Sequence, residues 1–219
     1  MAIILCLETA TTNCSVALSV MGSVIALKED NNLQYSHAER LHVFMEEILL
    51  ENGIDKDQLD AIAVSKGPGS YTGLRIGVSS AKGLCFSLEI PLVSVATLEI
   101  LASQVSIEKG CVVPMLDARR MEVYSAVYSG DYKEIRSTEA EILDEHSFQQ
   151  YLKQGPVHFI GNGVDKFKEI CNHPNANFVE NAFPSAKEMT ALAEDKFLKD
   201  EFEDVAYFEP YYLKDFIAG

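Results

Sequence analysis

The sequence predicts an α/β protein of two lobes, each a mixed sheet covered by helices. Three observations carry this. Short apolar runs rich in strand formers alternate with segments of helical periodicity along the 219-residue chain. The alternation begins afresh after a break at Lys109-Gly110, so lobes of 1–106 and 107–219 are expected, the last residues folding back on the first. The hydrophobic fraction of 47% supplies a sizeable core.

In order, Ala2 to Glu8, Cys14 to Val20 and Val24 to Glu29 read as strands. The hydroxyl-rich turn Thr9 to Asn13 and the turn Met21-Gly22-Ser23 join them into two hairpins. Ser36 to Asn52 reads as a helix, with Ser36 and Glu39 as a capping box and Gly53 as the stop. Leu41, Phe44, Met45, Ile48 and Leu49 form its apolar face. Val43 and Leu50 lie on the far side beside Glu39, Glu46 and Glu47. That pair is either a helix-docking ridge or two ordinary exposed residues. Asp60 to Ser65 is a strand, Leu74 to Glu89 a helix, Pro91 to Val95 a strand and Thr97 to about Val105 a helix.

The second half opens with strands Cys111 to Leu116 and Met121 to Tyr128 around Asp117-Ala118-Arg119-Arg120. Ile135 to Asp144 is extended, Ser147 to Gln154 a short helix, Val157 to Ile160 a strand and Asp165 to Asn172 a helix. His173-Pro174 opens a polar loop. Ser185 to Phe197 is a helix with a second capping box, Ser185 and Glu188. Val205 to Leu213 is an extended aromatic tail around Pro210.

The segment Lys66-Gly67-Pro68-Gly69-Ser70-Tyr71-Thr72-Gly73 links the fourth strand to the second helix, with Thr72 placed as its cap. A strand, a glycine loop and a helix N-terminus together suit an anion. A tight turn without ligand explains the same residues, and the Gly-Lys-Ser/Thr ending of a Walker loop is missing. Within the helix, Leu74, Val78, Ala81, Cys85 and Leu88 form a core stripe. Ile76, Ser80, Gly83 and Ser87 lie roughly opposite, where another backbone could approach closely. Gly77 and Gly83 each cost about 1 kcal/mol relative to alanine, so this helix is expected to pack on two sides.

A net charge of -15 argues against autonomous nucleic-acid binding and against anionic membrane surfaces. It keeps the chain soluble or serves a basic protein partner. Five scattered cysteines without a CxxC pair point to a reducing cytosol. No signal peptide and no membrane span is read. The five histidines lack HxxxH and HExxH spacing, and no GxSxG elbow is present, so no metal ligand and no catalytic residue is nominated. Two turns are candidates for a nucleotide: Glu8-Thr9, between two strands, and Gly161 and Gly163, after a strand. Plain turns account for both as well.

Taken in this order, several segments resemble the bacterial TsaB (YeaZ) family. They are Ile4 to Ala10 with Cys14 to Leu18, Ser36-His37, Gly67 to Gly77, Asp117-Ala118-Arg119, Glu122-Val123-Tyr124 and Pro210 to Leu213. The likeness covers nearly the whole chain and is strongest over residues 1–128. It implies an actin-like, two-lobed ATPase (ASKHA, ribonuclease-H-like) fold. It implies a role in forming threonylcarbamoyladenosine beside the anticodon of tRNAs that read codons beginning with A. In that family the subunit is non-catalytic and binds and activates TsaD, its catalytic paralogue. TsaE, an ATPase, joins the pair, and tRNA is met only through the complex.

The first two helices pair with their counterparts in the partner, which nominates Val43, Glu46, Glu47, Leu50, Ile76, Ser80, Gly83 and Ser87 for the interface. ATP or ADP is expected at most weakly, at the cleft or the partner interface. A cytoplasmic protein is implied, with a homodimer open to it when alone. The absence of HxxxH and Ala10 in place of a phosphate-loop glycine agree with a non-catalytic role. The other reading is a stand-alone nucleotide-dependent transferase or glycoprotease-like peptidase.

Overall fold

The structure, a computed structural model, describes residues 2–31 and 37–214. It divides into two compact units, Met1–Thr97 with Pro184–Gly219, and Leu98–Phe183. The sequence division at 106 and 107 differs from these units at both boundaries. Leu98, Leu101 and Ala102 pack with Val112, Leu116 and Ile160, which draws the helix after Thr97 into the second unit. The helix Ala186–Leu198 packs on the first sheet, and the Ala186 amide donates to Ser15 Oγ at 2.9 Å.

In the first unit, β1 (Ile3–Glu8), β2 (Cys14–Val20), β3 (Ser23–Asp30), β4 (Ala61–Ser65) and β5 (Leu92–Val95) form a sheet ordered β3-β2-β1-β4-β5. β1, β2 and β3 are antiparallel neighbours, while β4 and β5 run parallel to β1. Helix α1 (His37–Glu51) buries Leu41, Phe44, Met45, Ile48 and Leu49, the face that its periodicity marks. It stops at Gly53, whose φ of +64° lets the amides of Gly53 and Ile54 return to the carbonyls of Leu50 and Leu49. The capping box that includes Ser36 lies outside the described residues.

Helix α2 (Tyr71–Leu88) begins three residues before its expected start. Its cap is Ser70 rather than Thr72. The Ser70 backbone is still non-helical, and its Oγ accepts from the Gly73 amide at 3.3 Å. Thr72 already lies within the first turn, its side chain exposed. Leu74, Val78, Ala81 and Cys85 are buried, and Leu88 packs half-buried against the same core.

The second unit contains α3 (Thr97–Ala102, from Leu98 on), β6 (Cys111–Asp117), β7 (Glu122–Ser129), β8 (Glu134–Ile142), α4 (Gln149–Leu152), β9 (Val157–Ile160), α5 (Val164–Lys168) and β10 (Ala176–Val179). Its sheet is ordered β10-β9-β6-β7-β8. All three helices are shorter than their sequence expectations, and β10 replaces part of the expected polar loop. That strand pairs in parallel with β9, and Phe178 stacks on Phe159 with ring centroids 5.4 Å apart. One aromatic anchor and a non-local partner make this strand, without local alternation. Phe148, Phe159 and Phe167 meet edge to face at 4.9–5.5 Å and fill the core beside it. α6 (Ala186–Leu198) returns to the first unit with Ser185 as its cap, accepting from the Lys187 amide at 3.3 Å.

Candidate functional site

The α1–α2 face of the first unit gathers most of the nominated positions. α1 turns its buried face to β2 and β3, which leaves Val43, Glu46, Glu47 and Leu50 exposed. On α2, Ile76 and Ser80 are half-buried, and Gly83 and Ser87 are exposed. Between the helices lies a groove of about 550 Å³, walled by Ala38 and His42 from α1 and by Tyr71, Arg75, Ile76 and Ser80 from α2. Ser80 Oγ donates to the Ile76 carbonyl at 2.8 Å and lies 3.5 Å from His42 Nε2. Arg75 Nη1 donates to the Tyr71 hydroxyl at 2.6 Å, and that bond holds the guanidinium above its usual pKa.

Phe86 was missed by the sequence reading. At 82% exposure it is as bare as Leu50 at 79%. It stands three residues after Gly83, at the edge of the small-residue stripe that runs on to Ser87, so widening that stripe to the i+3 neighbour would have found it.

The nominated Glu8 and Thr9 are fully buried at the end of β1. Thr9 Oγ1 donates to the Gly73 carbonyl at 2.8 Å, and the Ser70 amide donates to the Ala10 carbonyl at 2.7 Å. A Cβ at Gly77 would overlap the Thr9 hydroxyl, so a glycine is required where α2 crosses this turn. Glu8 Oε1 accepts from the Ala10 amide at 2.6 Å and from Ser65 Oγ at 2.9 Å, while Oε2 has no partner among the described residues. Burial pushes this carboxyl up to about 7. His37, also buried, places Nε2 2.7 Å from the Thr11 carbonyl, and burial lowers its pKa. The Thr9 hydroxyl and the Ala10 amide are thus engaged within the protein. They do not fit the role of free donors to a nucleotide phosphate.

Gly161 and Gly163 lie in the second unit, packed on Met115. The Gly163 amide donates to the Met115 carbonyl at 3.1 Å, and Asn162 Oδ1 between them accepts from the Asp117 amide at 3.0 Å. Lys166 Nζ reaches the Asp117 carboxylate and donates to the carbonyls of Arg120 and Glu122 at 2.6 and 3.0 Å. It fixes a turn in which Arg119 and Arg120 have φ of +71° and +48°.

Among the described residues no group of three or more His, Cys, Asp or Glu is arranged to hold a metal ion, and no helix is long and apolar enough to cross a membrane. All five cysteines are free and buried. Burial pushes the Cys14 and Cys85 thiols up to about 12.

Three antiparallel strands followed by two parallel ones, laid down twice, define an actin-like ATPase type of α/β protein. Residues 31–219 match the family model described as TsaD: tRNA N6-adenosine threonylcarbamoyltransferase. The tRNA threonylcarbamoyladenosine biosynthesis protein TsaB of Escherichia coli K12 is 32% identical over 98% of this chain and 96% of its own length. Its namesake in Bacillus subtilis 168 is 31% identical over 96% of this chain and 93% of its own length. The solved structure of YeaZ from Pseudomonas aeruginosa matches with a TM-score of 0.86 at 28% identity, over 97% of this chain and all of that one. The chain belongs to the TsaB (YeaZ) family, within the wider family that the TsaD model describes.

Proposed function

We propose that this chain serves threonylcarbamoyladenosine formation in tRNA as a non-catalytic subunit that binds and activates a TsaD-like catalytic paralogue. The observation that carries this reading is the second face of α1 and α2. Their inner faces are already filled by the sheet, yet Val43, Leu50 and Phe86 remain exposed on helices whose other large aliphatic side chains are buried or half-buried against the core. Glu46 and Glu47 form a charged rim beside them. The work is cytoplasmic, a TsaE-like ATPase joins the pair, and tRNA is met through the complex, in keeping with the net charge of -15. Any ATP or ADP acts at the partner interface. In the absence of the partner the same face pairs two copies of the chain.

Calorimetric titration with the TsaD-like protein of the same organism tests this. Saturable one-to-one binding is expected, weakened by Leu50→Glu and by Phe86→Glu. Unchanged affinity in both variants places the interface elsewhere. A wild-type chain that never binds rejects the subunit reading.

A further inference from the structure

We propose that Tyr212, in the C-terminal tail, is a positioning residue that sets the wall of the α1–α2 groove through Tyr71 and Arg75; this rests on the reading of that groove as part of the partner site. The tail leaves α6 and is fastened to the first unit at successive points. The Glu203 amide donates to the Leu92 carbonyl at 2.9 Å, and Ser94 Oγ donates to the Glu203 carboxylate. Val205 and Phe208 rest on the core. Lys82, from the flank of α2, donates to the carbonyls of Ala206 and Phe208 at 3.2 and 2.8 Å. The Tyr211 amide then donates to the Lys66 carbonyl at 2.7 Å, and the Tyr211 carbonyl lies over Gly67 with no room for a side chain there.

This last fastening places the Tyr212 ring against Tyr71, centroids 5.1 Å apart and planes inclined by 37°. The Arg75 guanidinium lies 5.3 Å from the Tyr71 ring centroid while it donates to that ring's hydroxyl. Tyr71 and Arg75 both line the groove. Among the described residues that line the groove, Arg75 is the one long cation, and it is held by an aromatic ring that the tail contacts. A long arginine side chain left unsupported would lose rotamer freedom when a partner docks. The Tyr212–Tyr71 contact meets that cost before docking.

Calorimetry with the TsaD-like paralogue tests the proposal with Tyr212→Ala, Tyr212→Phe, Arg75→Ala and the Tyr212→Ala/Arg75→Ala pair. Tyr212→Ala is expected to weaken binding about fivefold, the range of a lost aromatic pair. Tyr212→Phe, which keeps the ring, should bind like wild type. The double variant should bind no more weakly than Arg75→Ala, because Tyr212 acts through Arg75. Wild-type affinity in Tyr212→Ala, or losses that add in the double variant, overturns the proposal. A second readout needs no partner. The Arg75 Nε–Hε resonance of the isolated chain should be shifted by the Tyr71 ring in wild type and Tyr212→Phe, and should move to a solvent-exposed position in Tyr212→Ala. If the wild-type chain does not bind the paralogue, the subunit reading fails, and this resonance alone decides the positioning role. An unmoved resonance in Tyr212→Ala refutes it.

Discussion

The two units follow the same path with different means. Each lays down three antiparallel strands and then two strands parallel to the first. Between its third and fourth strands the first unit carries α1, of 15 residues, where the second has α4, of 4. Between the fourth and fifth strands stand α2, of 18 residues, and α5, of 5. The second unit still closes a core, with Phe148, Phe159 and Phe167 doing what helix faces do in the first. Long helices are thus not needed to cover this sheet. Where they occur, they supply surface beyond the demands of the core, and that surplus is where Val43, Leu50 and Phe86 stand. The strand-end turns differ in the same sense. Thr9 and Ala10 are buried beneath the start of α2, whereas the counterpart around Arg119 and Arg120 is exposed and held by Lys166.

The largest expected effect tests the surplus surface directly. Leu50→Glu or Phe86→Glu should cost about 2–4 kcal/mol of partner binding, the range for a central apolar anchor. Ile142→Glu, on a side chain 74% exposed in the second unit, should cost nothing in the same calorimetric titration. Equal losses at all three positions would break the contrast between the units.

The next effect is on stability against pH. Glu8 ends β1 buried, and Asp117 ends β6 exposed beside Lys166. The Glu8 carboxyl is raised from 4.5 to about 7 in the folded state, so between those values the folded chain binds more protons than the unfolded one. Stability from this group is therefore intact below about pH 4.5 and is lost as pH rises through 7, by about 3 kcal/mol. Glu8→Gln should flatten denaturant midpoints across that window and exceed wild type above it. A wild-type curve without this slope would show that burial at β1 carries no such penalty.

Smaller effects separate the two sides of α2. Gly77→Ala forces a methyl group onto the Thr9 hydroxyl and should lower stability by about 1–3 kcal/mol. A Cβ at Gly83 meets nothing within 4 Å, so Gly83→Ala should raise it by about 1 kcal/mol. Thermal unfolding of both variants checks the sign. Smallest is Arg120→Gly, which relieves a left-handed backbone and should raise stability by up to about 1 kcal/mol.

What the sequence disclosed was local. The hairpins β1 to β3 and the two faces of α1 follow from alternation, turn residues and a period of 3.6, all contained within a few neighbouring positions. Ser70 and Thr72 are both hydroxyl residues suited to capping. The choice between them is made by the Ser70 amide meeting the Ala10 carbonyl, some sixty residues away. The same distance hid why Gly77 is a glycine, since its partner is Thr9. β10 depends on β9 and on Phe178 stacking, and the unit boundary depends on where α6 docks, so neither has a signature inside its own segment. In the candidate site, the exposed positions of Val43 and Leu50 were legible as an apolar pair off the core stripe. The groove was not, because its shape comes from the crossing of two helices and from a tail that arrives 140 residues later.

The bridge between Glu203 and Leu92 bears on how this protein behaves in a crowded solution. β5 is the outer strand of its sheet, four buried residues long and apolar except for Ser94. Its unpaired backbone groups would be a template for a strand from another molecule. The tail crosses that edge as a single antiparallel rung, and its acidic residues Glu201, Glu203 and Asp204 surround the crossing with negative charge. A chain shortened before residue 201 would bare the edge and the apolar surface under Val205 and Phe208 together, so the cost of losing the tail would be read first as self-association and precipitation.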